Sequence, residues 1–369
     1  MNVHSIAKHP LVLELNRVER LYTGGKLLDQ WQGIADPTDG HWSEEFLVST
    51  TGYIGHSDKV PHNGLSRTQL ADGSYATIKE LIDQDEGAFL GARYAGLTNR
   101  QAGVMARIGD STVRLVIQAH PDRESAQKYL NFPAGKTEAW YILDSREIDG
   151  VAPHVYAGFK PGVTRETWRH LFEEQDVPGM LDAMHRFEVS TGDIILIEAG
   201  TPHAMGCGCL FLEIHEASDY TIRLEKTYLG REIKDETLIH FGVGYDAMFD
   251  MFHYDTYTEK EMRDRIFMDR EVLESTPGGT LSRAIPYSRT DRFILDVLEL
   301  TGTYPLPPSD GHYIIISTHG EIQLSYVGGT TVVPQGRAVF IPAGVEGLSA
   351  VGHGELAIAY PFKISNTHA

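Results

Sequence analysis

Tyr313-Ile314-Ile315-Ile316-Ser317, Glu321-Ile322-Gln323-Leu324-Ser325-Tyr326, Thr331-Val332-Val333 and Ala338-Val339-Phe340-Ile341 follow one another with little between them. Each is short and rich in β-branched or aromatic residues, and Gly328-Gly329 stands between two of them, a pair that readily supplies the backbone of a tight hairpin. A further stretch, 355–360, repeats the pattern. Moving back along the chain, 113–118, 187–189, 193–197 and 210–215 read the same way. Short strands at such close spacing predict a mainly β protein built as an antiparallel sandwich or barrel.

Helical patterns fall in two islands. Thr164 caps the first, Thr167-Trp168 and Leu171-Phe172 give it an apolar face, and Pro178 starts a second short helix running to Met184. Together they form an insertion over about 160–186. The other island, 257–275, opens at Thr258 with Glu261 three residues on, the spacing of a capping box. It divides the strand-rich regions into an N-terminal domain, 1–250, and a C-terminal domain, 251–369, that begins with a linker helix.

The 369 residues are 41% hydrophobic and 22% charged, enough apolar material for a large core and too much for a disordered chain. Acidic residues outnumber basic ones 51 to 32, and the net charge of −19 repels nucleic acid and anionic membrane surfaces. No apolar run approaches the ~20 residues that span a bilayer, and residues 1–20 lack the apolar stretch of a signal peptide. The only cysteines, Cys207 and Cys209, are too close for an unstrained disulfide. A cytoplasmic, reducing location is the expectation.

Three segments bear chemistry. In Ile117-Gln118-Ala119-His120-Pro121-Asp122, strand alternation sets Gln118 and His120 on one face. In Gly135-Lys136-Thr137-Glu138-Ala139-Trp140-Tyr141-Ile142, Glu138 shares a face with Trp140 and Ile142, where a carboxylate needs a partner; Lys136 lies on that face too. In Gly200-Thr201-Pro202-His203-Ala204, a strand ends at a stiff turn that aims His203. Two imidazoles, a carboxylate and an amide oxygen suit one divalent ion, zinc foremost. Downstream, Ser218-Asp219 leads to Arg223, an arginine able to grip an anionic intermediate or phosphate, or simply to pair with Asp219. Glu213 and His215 precede them on a strand that could flank the same cleft.

These motifs, in this order, resemble the type I mannose-6-phosphate isomerases, most specifically over residues 110–225, with a weaker likeness at Gly320, Pro334-Gln335-Gly336 and Ile341-Pro342-Ala343-Gly344. The resemblance implies two cupin-type barrels with helical insertions, the first of them catalytic. It implies one zinc ion per chain held by Gln118, His120, Glu138 and His203. It implies interconversion of an aldose phosphate and a ketose phosphate, mannose 6-phosphate and fructose 6-phosphate, through an enediol. Arg223 would then stabilise the enediolate, with Lys136 and Asp219 assisting ring opening or proton transfer. Lys136, Arg223, Lys226 and Arg231 are the cations expected to hold the sugar phosphate; a lysine beside a metal and an arginine could have its pKa drawn toward neutrality. His215 stands where glutamine is usual. Rival readings are an isomerase or epimerase of another sugar, phosphorylated or not, a metal-dependent dioxygenase, which a glutamine ligand disfavours, and a bicupin that binds sugar without catalysis.

Other signals read as structure. Tyr22-Thr23-Gly24-Gly25-Lys26 lacks the full phosphate-loop spacing and reads as a turn. Glu44-Glu45 reads as an acidic strand start, and His312, His319 and His353 form no ligand set, so the C-terminal barrel is expected to be structural.

Overall fold

A computed structural model describes residues 2–52 and 61–364. The chain forms two antiparallel sandwiches. In the first, a six-stranded sheet runs in the order Ile194–Ile197, Glu138–Ser145, Cys209–Glu216, Val104–Ser111, Glu44–Val48, Arg17–Val18. Its companion has five strands: Met184–Glu188, His154–Phe159, His203–Met205, Gln118–Ala119 and Ile222–Arg223. Trp140, Ile142 and Phe211 from one sheet meet Val155, Ala157, Phe187 and Met205 from the other in a shared core.

The second sandwich has a seven-stranded sheet, Leu11–Val12, Ala338–Ile341, Tyr313–His319, Gly354–Tyr360, Ile294–Leu300, Gly279–Ile285 and Glu271–Thr276. Against it lie Thr303–Pro305, Ser349–Gly352, Ile322–Tyr326 and Gly329–Val333. The Gly328-Gly329 hairpin forms as the dipeptide predicts, with Tyr326 opposite Gly329. The interior is apolar, lined by Leu298, Ile315, Leu324, Val339 and Ile358. Leu11–Val12 pairs with Phe340 and Val339, so an N-terminal strand completes a sheet of the distal sandwich.

Alternation along the six-stranded sheet explains how the two halves join. Ala139, Tyr141, Leu212, Ile214, Ala106 and Ile108 point away from the first sandwich and pack with Phe293, Leu295, Ile314, Ile316 and Phe340 of the second in one continuous core. The intervening residues, Glu138, Glu213, His215 and Arg107, point the other way. The five-stranded sheet does the same. Ala119, Ala204 and Ile222 face outward under Trp168, Phe172 and Phe249, leaving Gln118, His203 and Arg223 for the inner face.

The sequence expectations need correction at several places. No strand covers 113–118; only Gln118–Ala119 is in a ladder, because the Ile117 N–H donates to the buried Glu225 carboxylate (2.7 Å). The second insertion helix is Val177–Asp182, capped by Asp176, and stops short of Met184, which opens a strand. The capping box at Thr258 and Glu261 forms, but its helix ends at Ile266, and Glu271–Thr276 is an edge strand. Two further short helices, Thr237–His240 and Tyr245–Asp250, pack on the insertion through Ile239, Met248 and Phe249. No helix among the described residues is long and apolar enough to cross a membrane.

Candidate metal centre

Gln118 pairs across its strand with His203 on one side and with Arg223 on the other. Residues directly opposite in an antiparallel ladder point to the same face, so these three form a row on the inner face of the five-stranded sheet. His120 follows two residues after Gln118. On the facing sheet Glu138 sits opposite His215 and Ile197. The loops that lead into these strands touch. A Cβ on Gly135 would lie 2.8 Å from the Arg123 nitrogen and 2.9 Å from the Pro121 oxygen, so only glycine allows this approach, and Lys136 N–H then donates to Pro121 O at 3.1 Å.

The result is a compact group of His120, Glu138 and His203, whose ligand atoms lie within 4.8 Å of one another. All three are buried. His120 Nδ1 donates to Tyr220 O (2.8 Å) and His203 Nδ1 to Thr201 O (2.9 Å). Each donation leaves the Nε2 lone pair pointing inward. His120 Nε2 is 3.1 Å from one Glu138 oxygen and His203 Nε2 is 3.2 Å from the other. Acceptors therefore face acceptors, and Glu138 Oε1 has no hydrogen-bond donor. Such a set calls for a cation, and its two imidazoles and carboxylate are the donors a divalent ion of intermediate softness takes. The Gln118 amide lies 3.2 Å from His203 Nε2, and a half-turn of that amide would present its oxygen.

Electrostatics support the same use. Burial, reinforced by Lys136, holds the His120 pKa down to about 4, so the ring is neutral at pH 7. Burial by itself would raise Glu138, but Lys136 and His120 outweigh it and keep the carboxyl well below the usual range.

Lys136 Nζ stands against this group, 3.2 Å from His120 Nε2 and 2.9 Å from Glu213, and paired with Glu138. The expectation of a lysine titrating near neutrality is not met. Burial does lower its pKa, but Glu138 and Glu213 outweigh burial and raise it, so Lys136 is an ammonium. Glu213 is pushed up by burial and by Glu138, against Lys136. His215, held by the Glu216 carbonyl through Nδ1 (2.6 Å), is kept neutral by burial and by Lys136 and Arg107.

Asp219 is buried in an ion pair with Arg107, which also approaches Glu44 at 3.9 Å. Arg223 donates to Thr221 O (3.1 Å) and to Leu238 O (2.7 Å), tying it to helix Thr237–His240. Lys226 lies further out, its ammonium 4.9 Å from the Phe172 ring and 5.1 Å from that of Tyr245. Arg107 is the residue that sequence reading missed. Its signal was present, because Val104, Ala106 and Ile108 alternate with it, but Gly109-Asp110 interrupts the pattern. Glu44 and Glu45 do open a strand, and both are buried; Glu44 pairs with Arg20 at 2.7 Å. At the N-terminal turn, Asp110 accepts the N–H groups of Gly25 and Leu27 (2.7 and 2.8 Å), filling the place of an anion.

No family model matches the chain. Among curated proteins it is 30% identical over 216 residues to a probable mannose-6-phosphate isomerase of Bacillus subtilis, covering 58% of this chain and 61% of that one. It is 34% identical over 162 residues to a second mannose-6-phosphate isomerase of that organism, covering 44% and 47%. The chain thus spans under two thirds of the length of these relatives. The solved mannose 6-phosphate isomerase from Bacillus subtilis superposes with a TM-score of 0.73 at 20% identity, covering 95% of this chain and 99% of that one. The chain is similar to mannose-6-phosphate isomerases in sequence and shares their fold. A variant phosphomannose isomerase from Salmonella typhimurium shares the fold at a TM-score of 0.71 and 15% identity, covering 96% and 100%. The fold of two sandwiches is shared with these solved isomerases over nearly the whole chain.

Proposed function

We propose that this protein is a zinc-dependent aldose–ketose isomerase that interconverts mannose 6-phosphate and fructose 6-phosphate. The observation that supports it most is the convergence of His120, Glu138 and His203 on one buried point, with the charged Lys136 beside them, on the fold of phosphomannose isomerases. His120, Glu138 and His203, with Gln118 as a fourth donor, would hold the ion. Bound there, zinc would act as a Lewis acid on the sugar's hydroxyl and carbonyl oxygens.

The remaining work falls to side chains. Moving a proton between C1 and C2 places negative charge on two adjacent oxygens, and cations aimed there lower the barrier. Arg223, in the same row as Gln118 and His203, would face the enediolate. Lys136, already charged, would stabilise the oxygens or give a proton during ring opening. Glu213, a partly exposed carboxylate with a raised pKa, is the candidate to carry the proton. Asp219 is assigned a supporting part through Arg107. Lys226, held against two aromatic rings, is the outermost of the cations proposed for the phosphate. A reducing compartment such as the cytoplasm fits two free, buried cysteines.

The test is a product assay with mannose 6-phosphate, fructose 6-phosphate and unphosphorylated mannose in deuterated water. Interconversion of the two phosphates with deuterium entering at C2 or C1, abolished by a strong chelator and restored by zinc, is the expected result. Sugar binding with no product, or turnover indifferent to chelation, would overturn it.

A further inference from the structure

Three chain segments must keep register for His120, Glu138 and His203 to meet, and only the one that bears Glu138 belongs to a long ladder, at its very end. Gln118–Ala119 is two residues long, Glu138 is the first residue of its strand, and His203 opens a three-residue one. A second set of bonds, outside the ladders, ties them to one another. The point where the three segments are tied is Thr137, between Lys136 and Glu138. Its N–H donates to Glu216 Oε2 at 3.0 Å, and its carbonyl accepts the Glu216 N–H at 3.2 Å. Both peptide groups flanking Thr137 are thereby clasped by one residue. Its hydroxyl accepts the Ala199 N–H at 3.2 Å, reaching the segment that leads to His203. The other oxygen of Glu216 accepts from Arg123 Nε at 2.7 Å, and Arg123 opens the helix capped by Asp122, directly after the His120 loop.

Glu216 is only 2% exposed. A carboxylate buried to that degree is costly unless its oxygens are bonded. Here both are, one to a main-chain N–H and one to a guanidinium, and each bond reaches a different ligand-bearing segment. The strand ladder beside Thr137 would close equally well with an apolar residue at 216; the anchoring of the Arg123 and Thr137 loops would not.

We propose that Glu216, backed by Arg123, is a positioning residue that sets the Glu138 carboxylate in register with His120 and His203 and so fixes the affinity of the site for its metal. This rests on the reading of those three residues as metal ligands. Partners that orient a ligand without touching the metal commonly govern affinity by one to two orders of magnitude.

The experiment measures zinc affinity by competition with a chromophoric chelator, and melting temperature with and without zinc, for the wild type, Glu216→Ala, Glu216→Gln, Thr137→Val and Glu138→Gln. Glu216→Ala should weaken zinc binding on the order of 10-fold or more and shrink the zinc-induced rise in melting temperature. Glu216→Gln keeps an acceptor for Thr137 and should recover much of the affinity. Thr137→Val, which removes only the Ala199 link, should weaken binding by a smaller factor and keeps the test decisive if Glu216→Ala does not fold. A merely structural role would lower the melting temperature equally with and without zinc and leave affinity unchanged; that result, with Glu138→Gln losing zinc, overturns the positioning role alone. A wild type that takes up no zinc overturns the ligand assignment as well.

Discussion

Lys136 is the side chain whose state most constrains the chemistry. Its ammonium is buried among two carboxylates and sits beside the His120 lone pair. It therefore competes with any metal for Glu138. Lys136→Met should tighten zinc binding, because the metal-free protein loses the cation that had satisfied Glu138 and Glu213, while turnover falls by about 10²–10⁴. Chelator competition and a product assay on the same preparation check both arms; weaker zinc binding together with unchanged turnover would remove Lys136 from the mechanism. The three residues that the fold brings together, His120, Glu138 and His203, were legible in the sequence as candidate ligands, since each stood where a polar side chain needed a partner. The protonation of Lys136 was not. It depends on Glu213, which lies on another strand and reaches the lysine only after folding.

At the scale of elements, the helices over the five-stranded sheet do more than cover apolar surface. Helix Thr237–His240 presents the Leu238 carbonyl to Arg223, and Ile239, fully buried, seats that helix on the insertion. Ile239→Ala should loosen the seat and lower kcat several-fold while bound zinc stays constant, because the side chains of Gln118 and His203 point to the opposite face of the sheet. Equal losses of zinc and activity would contradict this division of labour. Here the sequence was readable only in part. The capping residues Thr164 and Thr258 marked two helix starts correctly. Thr237–His240 and Tyr245–Asp250 went unread because each is too short to show a helical period, and their stability comes from contacts with Trp168 and Phe172 rather than from their own residues.

For the whole molecule, the shared core between the sandwiches is the dominant feature. Ile314, Ile316 and Phe340 of one pack with Leu212, Ile214 and Tyr141 of the other. Ile316→Ala, at a fully buried position, should cost about 2–5 kcal/mol. All tryptophans, Trp31, Trp42, Trp140 and Trp168, lie in the N-terminal half, so their fluorescence transition should shift together with the loss of β-sheet signal. A fluorescence midpoint that stays put while circular dichroism moves would mean the halves unfold separately. The charge of −19 adds a further constraint at this scale, because the phosphorylated substrate proposed above would have to be drawn in by Lys136, Arg223 and Lys226 against a repelling envelope. That sheet-to-sheet seam could not be read from the sequence, where both halves show the same alternation and neither reveals which face meets its counterpart.

The pairing of Leu11–Val12 with Ala338–Ile341 has a consequence during biosynthesis. A ribosome releases the earlier of these segments long before the later one exists, so the nascent polypeptide must hold an unpaired apolar edge until residues 338–341 have been made. The distal sheet thus cannot be completed while only the first half of the chain exists, and that half-made chain is the form most in need of a chaperone.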